Sequence, residues 1–92
     1  MQRYLIKRTF PACALDGLDR AAKDKVNAIN AEHDVKWIHS YATADKITTF
    51  CIYEGPSEQA VRAAGTANGL PVDEIFPVPV TLVPDGDDII AG

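Results

Sequence analysis

Residues 35–54 constrain the fold of this chain more than any other stretch. Two runs rich in aromatic and β-branched residues, Val35 to Tyr41 and Thr48 to Tyr53, flank Ala44-Asp45-Lys46, the pattern of two antiparallel strands joined by a short turn. The same stretch holds the only Trp, two of the three Tyr, one of the two His and one of the two Cys. Any ligand chemistry is therefore expected on this hairpin.

The elements on either side follow from periodicity and punctuation. Arg3 to Arg8 alternates, with Tyr4 and Ile6 on one side and Leu5 on the other, and Phe10-Pro11 ends this first strand. A helix is predicted over 17–33, capped by Asp16, with Asp19 in its first turn and Leu18, Ala22, Val26, Ile29 and His33 forming the sheet-facing stripe. His33 falls in the last turn, where an imidazole complements the helix dipole. After the hairpin, Ser57 caps a second helix that runs to about Asn68 with the small-residue stripe Ala60, Val61, Ala64 and Ala67. Asn68-Gly69-Leu70-Pro71 stops it. The last strand is predicted over Glu74 to Val83, and its prolines at 77 and 79 place their missing donors on one side, which confines it to a sheet edge.

The order β-α-β-β-α-β predicts an α+β, ferredoxin-like fold: a four-stranded antiparallel sheet with both helices on one face. The other face is left open, and pairing two such faces across a two-fold axis gives a dimeric α+β barrel. Residues 1–84 form this domain. Residues 85–92 are an acidic tail without the spacing or closing Glu of a calcium loop.

Register decides what the hairpin presents. A two-residue loop puts His39 opposite Phe50, whereas a three-residue loop puts it opposite Cys51 and Trp37 opposite Tyr53. The three-residue loop sorts the residues better and is the expectation. Ile38, Ser40, Ala42, Phe50 and Ile52 then face the helices, and Trp37, His39, Tyr41, Thr49, Cys51 and Tyr53 line the open face, a mixture of donors and aromatic walls suited to a small ligand or metal.

Composition removes several function classes. A net charge of −4 lacks the basic footprint that nucleic acid requires. Arg3, Lys7 and Arg8 cluster on the first strand and are expected to be solvated. The absence of an apolar leader or an 18-residue apolar run argues against membrane partners. Cys13 and Cys51 are expected as free thiols, which with the missing leader suggests a cytoplasmic protein. No Gly-rich phosphate loop, CxxC, HExxH or GxSxG occurs, and no catalytic residue is assigned. His39 and Cys51 are the candidate metal ligands, since imidazole and thiolate suit nickel, copper and zinc; Trp37, Tyr41 and Tyr53 are the candidate ligand-binding residues.

Arg3-Tyr4-Leu5-Ile6-Lys7-Arg8-Thr9-Phe10-Pro11, Trp37-Ile38-His39-Ser40-Tyr41, Asp45-Lys46 with Cys51-Ile52-Tyr53, and Gly69-Leu70-Pro71 together resemble a family of small nickel-binding, ferredoxin-like bacterial proteins best known from actinobacteria. The resemblance spans about residues 2–83. It implies a ferredoxin-like fold, a homodimer and nickel as the bound metal, with the family's strand histidine falling on His39. It also aligns a histidine found in many relatives with Ala64, and a common acidic position with Lys7.

The leading expectation is a small dimeric ligand-binding protein that takes nickel or another transition metal. The alternatives are a small enzyme, an isomerase or cofactor-free oxygenase with its pocket on the open sheet face, and a structural or regulatory dimer without ligand.

Overall fold

The computed structural model describes residues 1–11 and 14–90. The chain forms β1 (Gln2–Thr9), a 3-10 turn (Ala14–Gly17), α1 (Arg20–Glu32), β2 (Lys36–Ala42), β3 (Thr48–Gly55), α2 (Glu58–Ala67) and β4 (Glu74–Pro77). The four strands make one antiparallel sheet in the order β2-β3-β1-β4, with both helices on the same side. This is the expected ferredoxin-like α+β architecture.

Strand alternation selects the core. Tyr4 and Ile6 of β1, Cys51 and Tyr53 of β3, and Ile75 of β4 point beneath the helices and pack with Val35, Val61 and Ala64. Ile6 and Val61 are almost wholly excluded from solvent, which stabilises the fold by about 1.5–3 kcal/mol for each such side chain. At the end of β3, a Cβ on Gly55 would stand 2.8 Å from Val61 Cγ2 and 3.3 Å from Val35 Cγ2. Glycine therefore lets α2 settle directly onto the strand.

Both helices are closed by side-chain caps and by matching C-terminal turns. Ser57 Oγ accepts from Ala60 N at 3.1 Å, as expected. The first helix begins later than the apolar stripe suggests: Asp19 Oδ1, not Asp16, accepts the capping bond, from Ala22 N at 2.9 Å. Gly17 is a poor helix former, and the preceding segment closes a 3-10 turn instead. At the other end of α2, Leu70 N donates to Gly65 O and Gly69 N to Thr66 O, a Schellman turn with Gly69 at φ +69°. The same pair of bonds ends α1, from Val35 N to Asn30 O and Asp34 N to Ala31 O, but there Asp34 occupies the left-handed position at φ +58°.

The last strand pairs with β1 over four residues rather than running to Val83. Val78 N, between the two prolines, still donates to Arg3 O at 3.0 Å, so the missing donors face away from the sheet as edge placement requires. Beyond Pro79 the chain leaves β1, and β5 (Val80–Thr81) pairs with β6 (Ile89–Ile90), giving the tail a small antiparallel ladder that composition alone does not signal.

The hairpin departs from the expected register. Its loop has four residues, Ala44–Ile47, closed by Thr43 N donating to Thr48 O at 2.9 Å. Asp45 Oδ1 accepts from Thr43 Oγ1 at 2.6 Å and from Ile47 N at 3.0 Å, while Lys46 takes φ +60°. Those two bonds, the hydroxyl foremost, hold the Asp45 carboxyl below its ordinary pKa. A bulge between Trp37 and His39 absorbs one residue, so Trp37 still faces Tyr53 while His39 faces Ile52, Ser40 faces Cys51 and Tyr41 faces Phe50. The faces deduced for the hairpin are thereby corrected: Phe50 and Ile52 lie on the open side, and Trp37, Thr49, Cys51 and Tyr53 lie under the helices with Ser40 and Ala42.

Candidate functional site

The two sides of the sheet carry different chemistry. On the open side, cross-strand pairing builds three rows: Lys36–Glu54–Arg3, His39–Ile52–Leu5–Phe76 and Tyr41–Phe50–Lys7–Glu74. The first row is polar, and Arg3 donates to Glu54 Oε1 through Nε at 3.2 Å and Nη2 at 3.1 Å. The middle row is apolar apart from His39. That imidazole is exposed and meets the Tyr41 ring edge to face, with centroids 5.2 Å apart and planes at 79°. Tyr41, Phe50 and Phe76 are all solvent-exposed on this side.

The helix side holds a cavity of about 520 Å³ between the sheet, α1 and the turn before it, within the range of small-molecule sites. Leu15, Leu18 and Val26 form one wall, and Trp37, Cys51 and Tyr53 the other. Trp37 Nε1 donates to Ser40 Oγ at 2.8 Å, which fixes the indole against the sheet. Cys51 is a free, buried thiol donating to Thr49 Oγ1 at 3.5 Å. Burial pushes the Tyr53 phenol above its ordinary pKa, with the Arg8 charge pulling the other way.

Of the residues singled out in the hairpin, Trp37, Cys51 and Tyr53 therefore meet in the cavity, and His39 and Tyr41 meet on the opposite face. His39 and Cys51 do not share a site, because the bulge puts the thiol in register with Ser40. Cys13 lies outside the described residues. Ala64, where the resemblance implies a histidine in relatives, is packed in the core, so that position and His39 are separated by the sheet.

Arg8 was expected among solvated strand-end charges and is instead 2% exposed. Its Nη1 donates to Pro71 O at 2.6 Å, and its guanidinium carbon lies 5.5 Å from the Tyr53 ring centroid. The signal was present in the alternation: Arg8 has the parity of Tyr4 and Ile6, and the pleat carries it to the same side.

The family described as nickel responsive protein SCO4226-like matches residues 4–78. The chain belongs to this family. In three dimensions it is similar to SCO4226 from Streptomyces coelicolor A3(2), at 25% identity and a TM-score of 0.73, over 87% of this chain and 99% of that one. No curated protein matches the chain. The match to the SCO4226-like family ends before the β5–β6 pair, so the ladder at the C-terminus stands outside the shared region. Among the described residues, no three His, Cys, Asp or Glu side chains converge as a metal-binding group. Among the described residues, no helix is long and apolar enough to cross a membrane.

Proposed function

We propose that this member of the SCO4226-like family is a small cytoplasmic, nickel-related binding protein that acts as a symmetric dimer, with the open sheet face as the shared surface and His39 as the metal-directed side chain. The observation that carries this reading is the position of His39: an exposed imidazole, backed by Tyr41, in the middle of an otherwise apolar row. An imidazole is a suitable nickel ligand, and among the described residues it joins no group of three or more His, Cys, Asp or Glu side chains. A two-fold axis through this face supplies a second imidazole and removes exposed aromatic surface from water in the same step.

Calorimetric titration of nickel into tag-free protein tests the metal, and light scattering after size exclusion tests the dimer. Saturable heat that disappears in His39→Ala is the expected result. Equal heat from His39→Ala and the parent removes His39 from the role.

A further inference from the structure

The cavity on the helix side has a charge pattern that the rest of the chain does not. The protein carries 13 acidic and 9 basic residues, excluding histidine, yet the cavity is lined by Arg8, Lys23 and Lys46 and by no Asp or Glu. Lys46 forms only a long surface pair with Asp16 at 3.8 Å, and Lys23 forms no ion pair among the described residues. Both lysines are exposed and stand toward solvent, while Arg8 sits at the buried end.

Arg8 is the decisive group. A guanidinium stays protonated in proteins, and burying a charge without a counter-charge is costly. Among the described residues Arg8 has no carboxylate partner. Its Nε is fully buried and makes no hydrogen bond, and a single carbonyl, Pro71 O, takes one of its donors. Tyr53 supplies no counter-charge: burial keeps the phenol neutral to higher pH, so Arg8 meets its ring and an uncharged hydroxyl. Retaining a cation under these conditions fits a fold that receives its anion from outside.

We infer that this cavity binds a small organic monocarboxylate, with the carboxylate directed to Arg8 and an aliphatic or aromatic body held among Leu15, Leu18, Val26 and Trp37. A planar carboxylate accepts two parallel bonds from a guanidinium, and the apolar walls exclude the water that would otherwise weaken them. The exposed lysines favour entry of an anion through the field they set up at the rim. This site lies across the sheet from His39 and does not depend on the nickel reading.

Trp37 is the only tryptophan and lines the cavity, so its emission reports occupancy. Untagged protein is titrated with octanoate and, separately, with octanol, which has a similar body and no charge. The expected result is a saturable change in Trp37 emission with octanoate at concentrations roughly tenfold or more below those needed for octanol. Arg8→Met, checked for folding by circular dichroism, is expected to bind octanoate no better than octanol. Absence of a saturable change with octanoate, equal response to the two probes, or full octanoate binding by folded Arg8→Met overturns the inference. The comparison between probes in the parent protein decides the matter even where the variant does not fold.

Discussion

The Arg8 guanidinium lies over the ring of Tyr53, 5.5 Å from its centroid, and joins two strands beneath the helices. Tyr53 is 4% exposed, and its burial raises the phenol's pKa above the ordinary 10.0. The folded state therefore holds this proton more tightly than the unfolded chain does. The corresponding stability is complete below the ordinary value and declines as pH rises from there through the higher folded value. Tyr53→Phe is expected to lose about 0.5–1.5 kcal/mol at neutral pH through the missing hydroxyl, and to show a shallower alkaline decline than the parent. Urea denaturation at neutral pH and at pH about 11 measures both effects.

The two helices end in the same hydrogen-bond pattern but with different residues at the left-handed position. Gly69 at φ +69° has no atom within 4 Å of where its Cβ would sit, so Gly69→Ala carries a conformational penalty alone, about 1 kcal/mol. Asp34 at φ +58° already bears that penalty in part. Asp34→Gly is expected to offset it and stabilise by a few tenths to about 1 kcal/mol, despite the added freedom of the unfolded chain. Thermal melts should place the two variants on opposite sides of the parent, separated by roughly 4–8 °C for each kcal/mol in a domain of this size.

How much of this was legible in the sequence depended on whether the deciding contact was local. The alternation of Tyr4 and Ile6, the cap at Ser57, the stop at Gly69 and the edge prolines each act within a few residues, and all emerged in the fold as read. The hairpin register did not, because it rests on a side-chain bond from Thr43 to Asp45 and on Lys46, a residue with no special liking for positive φ. The bulge after Trp37 carries no glycine or proline to mark it. The consequence is that His39 and Tyr41 keep the open face read for them, whereas Trp37, Cys51 and Tyr53 exchange it for the helix side. Arg8 carries two opposed signals, a charge that favours solvent and a parity that favours the core, and in the packed interior the pleat prevails.

The dimer proposed above makes a separate claim about Phe50. This ring is exposed on the open face beside Tyr41 and directly opposite Lys7 of the neighbouring strand. Phe50→Glu places an acid across from that lysine, an arrangement the folded monomer tolerates and opposite-charge strand pairs favour by about 0.2–1 kcal/mol. Across a two-fold interface the same substitution brings desolvated carboxylates into an apolar patch. The expected outcome is a folded monomer by light scattering with an unchanged circular dichroism spectrum. A variant that remains dimeric at micromolar concentration would place the subunit contact elsewhere.

Cys51 and His39 provide the sharpest contrast between the two faces. Cys51 pairs with Ile6 and Ser40 and is 5% exposed, whereas His39 pairs with Ile52 on the opposite side. A metal held at the open face cannot also take the thiol without dismantling β3, where Cys51 lies between the two partner strands. Cys51→Ala is therefore expected to leave nickel heats at the parent level while costing about 1 kcal/mol of stability for the lost buried sulfur. His39→Ala should do the reverse, abolishing the heat and changing the denaturation midpoint little, since an exposed side chain leaves no cavity behind. The two variants measured side by side by calorimetry and urea unfolding separate a metal site from a structural thiol. Loss of nickel heat in Cys51→Ala that is still folded would require the strand to open on binding, and with it a different register from the one that sets His39 against Ile52.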